Sequence, residues 1–230
     1  QGPEEGQADL IDLPDPRRDG QPVAPPAAVS APPAPASNDP SPSRPPLLFE
    51  VGWEVCWQLG GIYTVLRSKI AAMQKRWGDR YCLIGPYNPV TAAVEFDALE
   101  PEAPFAAAVH DLRHQHIPVY FGRWLVPGRP KVILIDYRAR FPQLDNDKYL
   151  LWKDHGIHTY ASDGEVNETV AFGCCVTEFL RLMTEHVKDR PLLAHFHEWM
   201  AGVAVPRIAH LKLPVATVFT THATLLGRYI

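Results

Sequence analysis

The sequence predicts an α/β domain built on a parallel β-sheet with helices on both faces. From Leu47 onward, short apolar runs of strand length alternate with segments of helical periodicity. Two of those segments carry an apolar stripe at a 3.6-residue repeat. Polar residues gather where the apolar runs end, and in open parallel sheets that edge is where ligands bind.

The elements follow in order. Leu47 to Val51 is the first strand, and a loop through Trp57 and Gln58 leads to Gly60-Gly61 and a helix. In that helix Ile62, Val65, Leu66, Ile70, Met73 and Trp77 share one face. Tyr81 to Gly85, Ile117 to Phe121 and Lys131 to Asp136 are further strands. Glu165 to His186 is the strongest helix, its stripe formed by Phe172, Val176, Phe179, Leu180, Met183 and Val187. Pro191 to Phe196 is a strand, Glu198 to Leu211 a helix kinked at Pro206, and Pro214 to Thr221 a strand rich in β-branched residues.

Residues 1–46 are of another kind. They hold 13 of the 24 prolines and no aromatic residue. Such a stretch buries too little apolar surface to offset its ordering entropy, so a disordered or extended tail is expected, with one domain over 47–230. A net charge of −4 and the lack of a dense basic run argue against nucleic acid as a partner. No apolar run reaches the roughly 20 residues of a membrane span, and the N-terminus lacks the features of a signal peptide. Cys56, Cys82, Cys174 and Cys175 form no CxxC pair and are expected as free thiols in a cytoplasmic protein. The chain lacks an initiator Met and stops at Ile230 inside a patterned segment, which points to a fragment of a longer protein.

Three clusters lie at strand ends. In Gln58-Leu59-Gly60-Gly61, paired glycines let backbone approach a ligand and a helix N-terminus offers N–H groups to an anion. Glycine in such a turn is equally explained by sterics. In His195-Phe196-His197-Glu198-Trp199, alternation puts both histidines on one face. That pair fits a metal grip, a buried structural histidine, or a sugar-binding rim covered by Trp199. In Thr220 to Arg228, a strand runs out at His222 and a cation follows at Arg228, which suits a sugar and a phosphate or simply a structural histidine.

The runs Phe49-Glu50-Val51-Gly52-Trp53-Glu54-Val55 and Gly60-Gly61-Ile62-Tyr63-Thr64-Val65-Leu66 closely resemble the opening of animal and fungal glycogen synthases. So do Gly85-Pro86-Tyr87, Phe121-Gly122-Arg123-Trp124-Leu125, His195 to Gly202, and the run Phe219 to Tyr229. The resemblance implies a GT-B fold of two Rossmann-like domains, of which this chain would be the N-terminal half. It implies retaining transfer of glucose from UDP-glucose to the non-reducing 4-hydroxyl of glycogen or another α-1,4-glucan. His222 would contact the donor glucose and stabilise positive charge at its anomeric centre, with Arg228 also on the donor. Gly60 and Gly61 would lie against the diphosphate, His197 would line the strand end, and Glu198 and Trp199 would face the acceptor. No cofactor and no metal is implied, and a homo-oligomer is expected of the full-length protein.

Two features depart from the family pattern. Gln58 stands where the family usually has a lysine, and losing a charge-assisted contact typically costs about 1.5–3 kcal/mol. The family's remaining phosphate-binding cations and its key glutamate belong to sequence beyond Ile230, so this chain alone is expected to be inactive. The alternatives are a non-catalytic glucan-binding module and a related glycosyltransferase with another donor.

Overall fold

The computed structural model describes residues 44–159 and 164–222. Strands β1 (Leu47–Gly52), β2 (Tyr81–Pro86), β3 (Phe96–Leu99), β4 (Val119–Trp124), β5 (Lys131–Ile135), β6 (Leu192–His197) and β7 (Val215–Thr220) form one sheet. Its order is β3-β4-β5-β2-β1-β6-β7. The five strands from β5 to β7 run parallel. The parallel reading therefore holds for the part of the sheet that carries the polar strand ends.

The β3-β4 edge differs, because β4 runs antiparallel to both β3 and β5. A parallel crossover needs about a dozen residues. The connection 125–130 is shorter, so the chain turns back beside itself. At Gly122 of β4 a Cβ would lie 2.1 Å from the Asp97 carbonyl oxygen, so only glycine lets β3 approach. Strand β3 has four residues, none of them buried, and carries no apolar run that sequence periodicity could register.

The helices are α1 (Gly61–Trp77), α2 (Pro89–Glu95), α3 (Ala106–His114), α4 (Leu144–His155), α5 (Gly164–His186), α6 (Glu198–Gly202) and α7 (Ala204–His210). Strand alternation sorts them onto two faces. Leu47, Phe49 and Val51 of β1 pack with Phe172, Val176 and Phe179 of α5. Leu48, Leu83 and Leu134 pack with Leu66 and Ile70 of α1. Each such side chain contributes about 1.5–3 kcal/mol by burial. All six residues of the α5 stripe are buried. On α1, Leu66 and Ile70 are buried, the other four stripe residues are half-buried, and Tyr63 joins the core.

The expected helix 198–211 is two helices, and the break falls at Val203 rather than at Pro206. A proline ring clashes with the carbonyl four residues earlier, which is that of Gly202. The disruption therefore appears one turn before the proline. At the other end of the domain, the Arg44 N–H donates to the Asp189 carbonyl at 3.1 Å and its guanidinium pairs with the Asp189 carboxylate. Among the described residues, no helix is long and apolar enough to cross a membrane.

Candidate active site

Parallel register brings three strand ends together. Gly52 pairs with His197, and His197 with Thr220. The segments that leave β1, β6 and β7 therefore emerge side by side, next to the N-terminus of α1. They enclose a cleft of about 710 Å³ lined by Trp53, Glu54, Gly60, Gly61, His197, Glu198, Trp199 and His222, with Ile62, Val65 and Met200. Six of the eight expected site residues thus share one cavity.

Beneath the cleft lies a carboxylate that sequence reasoning missed. Glu50, in the middle of β1, has no exposed surface. His197 Nε2 lies 2.7 Å from its Oε1, the Lys69 ammonium of α1 pairs with the same oxygen, and the Tyr81 hydroxyl donates to Oε2. Burial by itself raises a carboxyl pKa, but the hydrogen bond from His197 and the Lys69 charge outweigh it, leaving Glu50 at about 2. Burial and the Glu50 charge push the Tyr81 phenol up. The signal for Glu50 was present: a lone charge inside the apolar run Leu47–Gly52 must be paired to be tolerated.

The histidines continue the network outward. His197 Nδ1 lies 2.9 Å from His222 Nε2, and His195 Nε2 lies 2.8 Å from the Thr220 hydroxyl. His195 is held at about 4, first by burial and then by its neighbour His197. His222 is lowered for the same two reasons. Glu198, the first residue of α6, has φ +62, a costly conformation for a non-glycine residue. Its carboxylate accepts from the His222 backbone N–H, which ties the β6 elbow to the exit of β7. Trp199 is 46% exposed and presents its ring at the rim.

Glu50, His195 and His197 put three donor atoms within 4.8 Å of one another. The expected HxH face is thus real, and Glu50 adds a third donor. The Lys69 ammonium, on Glu50 Oε1 and 3.4 Å from His197 Nε2, occupies the place a cation would take.

The α1 N-terminus is also partly engaged. The Glu54 carboxylate accepts from the N–H groups of Gly60 (2.6 Å), Tyr63 (3.1 Å) and Leu59 (3.4 Å). An acidic group there meets the positive end of the helix dipole. A Cβ at Gly60 would lie 3.3 Å from Glu54 Oε1, whereas one at Gly61 would meet nothing within 4 Å. The open approach is therefore over Gly61.

Gln58 is not brought into this cleft. It lines a separate depression of about 430 Å³ with Tyr63, Arg67 and Pro127. Arg228 and the end of the Phe219–Tyr229 run lie outside the described residues.

Sheet and cleft define the chain as a Rossmann-like α/β domain with its candidate site at the carboxyl edge. More particularly, the chain belongs to the glycogen synthase family, whose model matches residues 50–230. It is 45% identical over 185 residues to a glycogen (starch) synthase of Neurospora crassa, covering 80% of this chain and 26% of that protein. The Homo sapiens liver glycogen (starch) synthase is 40% identical over 185 residues, with the same two shares. The Dictyostelium discoideum glycogen (starch) synthase is 40% identical over 190 residues, covering 82% of this chain and 21% of that protein. The chain spans about a quarter of the length of the curated relatives it matches.

Proposed function

We propose that the protein carrying this chain is a retaining glucosyltransferase that moves glucose from UDP-glucose to the non-reducing end of glycogen or a related α-1,4-glucan. This chain would supply one wall of the active site, as the N-terminal half of a GT-B fold. The observation that carries the reading is the single cleft in which His222, Glu198, Trp199, Gly60 and Gly61 meet in a chain of this family.

Departure of UDP leaves negative charge on phosphate and positive charge on the glucose anomeric centre. Preorganised dipoles aimed at those charges are the largest source of rate in such sites. The roles follow from position. His222 contacts the donor glucose, and the α1 terminus at Gly60 and Gly61 faces the diphosphate. His197 lines the floor, while Glu198 and the exposed Trp199 ring take the acceptor. Arg228 is assigned to the donor, and Gln58 to the diphosphate side by its place in the family pattern. Free thiols at Cys56, Cys82, Cys174 and Cys175 support a reducing, cytoplasmic setting. Nucleic acid and membrane are not among the proposed partners, and the full-length protein is proposed to be a homo-oligomer.

Glucose incorporation into glycogen by the longer protein, with UDP-glucose as donor, tests the reading. Incorporation is expected, and His222→Ala is expected to cut it by about 10²–10³-fold, the scale of removing one preorganised group. Wild-type turnover in that variant would refute the role of His222. Glucan binding without any incorporation would favour the non-catalytic alternative, which the uncharged Gln58 supports.

A further inference from the structure

His222 is the proposed donor contact, and its ring can offer the cleft either a proton or a lone pair. Which one it offers is set by a residue two steps away. A neutral imidazole donates from one nitrogen and accepts at the other, and the bond made at one fixes the role of the other.

The chain of bonds starts at Glu50. Its carboxylate is an acceptor only, so His197 Nε2, 2.7 Å from Oε1, must carry the proton between them. A second proton on His197 Nδ1 would put two cations, the imidazolium and the Lys69 ammonium 3.4 Å from Nε2, on the single Glu50 carboxylate in a buried site, leaving a net positive charge there. His197 Nδ1 is therefore a lone pair. It faces His222 Nε2 at 2.9 Å, and two lone pairs cannot meet at that distance, so His222 Nε2 carries the proton. Burial and the neighbouring His197 disfavour a second proton on His222, so its Nδ1 carries none.

We infer that Glu50 is a positioning residue: acting through His197, it holds His222 as a neutral Nε2-H imidazole whose Nδ1 accepts a hydrogen bond from a sugar hydroxyl. The inference deepens the proposed function and rests on it for the identity of the hydroxyl. The tautomer itself does not depend on any ligand. Lys69 and Tyr81 complete the device by holding the carboxylate in place. His195 Nε2 is turned toward Thr220, and its Nδ1 lies 3.6 Å from Glu50 Oε1 without touching His222.

Among the described residues, the titratable and charged groups around His222 are His197 and His195 on β6, Glu198 on α6, and behind them Glu50 on β1 and Lys69 on α1. Of these, Glu50, which can only accept, anchors the sequence of donors and acceptors. Replacing it alone would leave the partly buried Lys69 ammonium without its carboxylate and could unfold the chain, so the informative variant is E50Q combined with K69M.

The test is nitrogen NMR of the chain labelled with 15N-histidine, which separates protonated from unprotonated ring nitrogens. Signals are assigned by their loss in H197N and H222N. At neutral pH the wild-type chain is expected to show both Nε2 atoms protonated and both Nδ1 atoms unprotonated. In E50Q/K69M the His222 signals are expected to shift to a mixture of the two tautomers. A proton on His222 Nδ1 in the wild-type chain, or an unchanged pattern in the double variant, would overturn the inference. Because no substrate enters this measurement, expected tautomers with no glucosyl transfer would count against the proposed function alone.

Discussion

The Lys69 ammonium of α1 and the Glu50 carboxylate of β1 form an ion pair in which the carboxylate has no exposed surface and the lysine side chain is 27% exposed. Such a pair is weak evidence of stabilisation, since desolvation offsets much of the attraction. Removing one partner is another matter. Glu50→Gln is expected to be destabilising, by less than the ~3–5 kcal/mol of breaking a fully buried pair, because the Lys69 ammonium it leaves unpaired is partly exposed. The double change Glu50→Gln with Lys69→Met is expected to recover most of that loss. Denaturant unfolding of the three proteins measures both, and a double variant no more stable than Glu50→Gln would contradict the expected recovery.

Stability is expected to fall with acid in two stages. His195 is displaced from 6.5 to about 4, so the unfolded chain binds more protons between those values. Its contribution is complete above pH 6.5 and is lost as the pH falls to about 4, with His222 adding in the same direction. Glu50 is displaced from 4.5 to about 2, so its share is complete above 4.5 and lost as the pH falls through about 2. Thermal unfolding followed from about pH 7.5 to about pH 3 checks this, and a melting temperature that rises on acidification would contradict it.

Gly61→Ala separates fold from ligand. No atom lies within 4 Å of a Cβ built there, and at this first position of α1 alanine is favoured over glycine by less than the ~1 kcal/mol of a helix interior. The variant is expected to be as stable as the wild type or slightly more so. In the longer protein its KM for UDP-glucose is expected to rise, because the added methyl covers the approach to the α1 terminus. An unchanged KM would move the diphosphate away from Gly61.

Gln58→Lys introduces the lysine that the resemblance to the family implies at this position. Gln58 lines a different depression from His222, beside Arg67. The affinity of the longer protein for UDP-glucose is expected to be unchanged or tighter. A large loss, read by calorimetric titration, would reveal a specific contact made by the glutamine.

Much of this protein was legible along the chain. The periodicities of Phe172 to Val187 and of the apolar runs at β1, β2, β5, β6 and β7 are local, repeating signals, and they placed the strands and the two major helices. Gly60, Gly61, His197, Glu198, Trp199 and His222 could be named because they follow those strands. The edge strand β3 and the reversal of β4 left no such signal, since four half-exposed residues and a short connection carry no period. The break before Pro206 was misplaced by one turn because a proline acts on the carbonyl behind it.

What only the tertiary structure decided is which of those residues act on one another. Glu50, Lys69, Tyr81, His197 and His222 are far apart in sequence, and each alone has an ordinary explanation. Parallel pairing of β1 with β6 and of β6 with β7 puts their ends side by side, and Lys69 of α1 reaches Glu50 and His197 there. Hydrogen bonds and charges act over a few ångströms of space, not along the chain. The polar strand ends could therefore be read from the sequence, but their wiring could not.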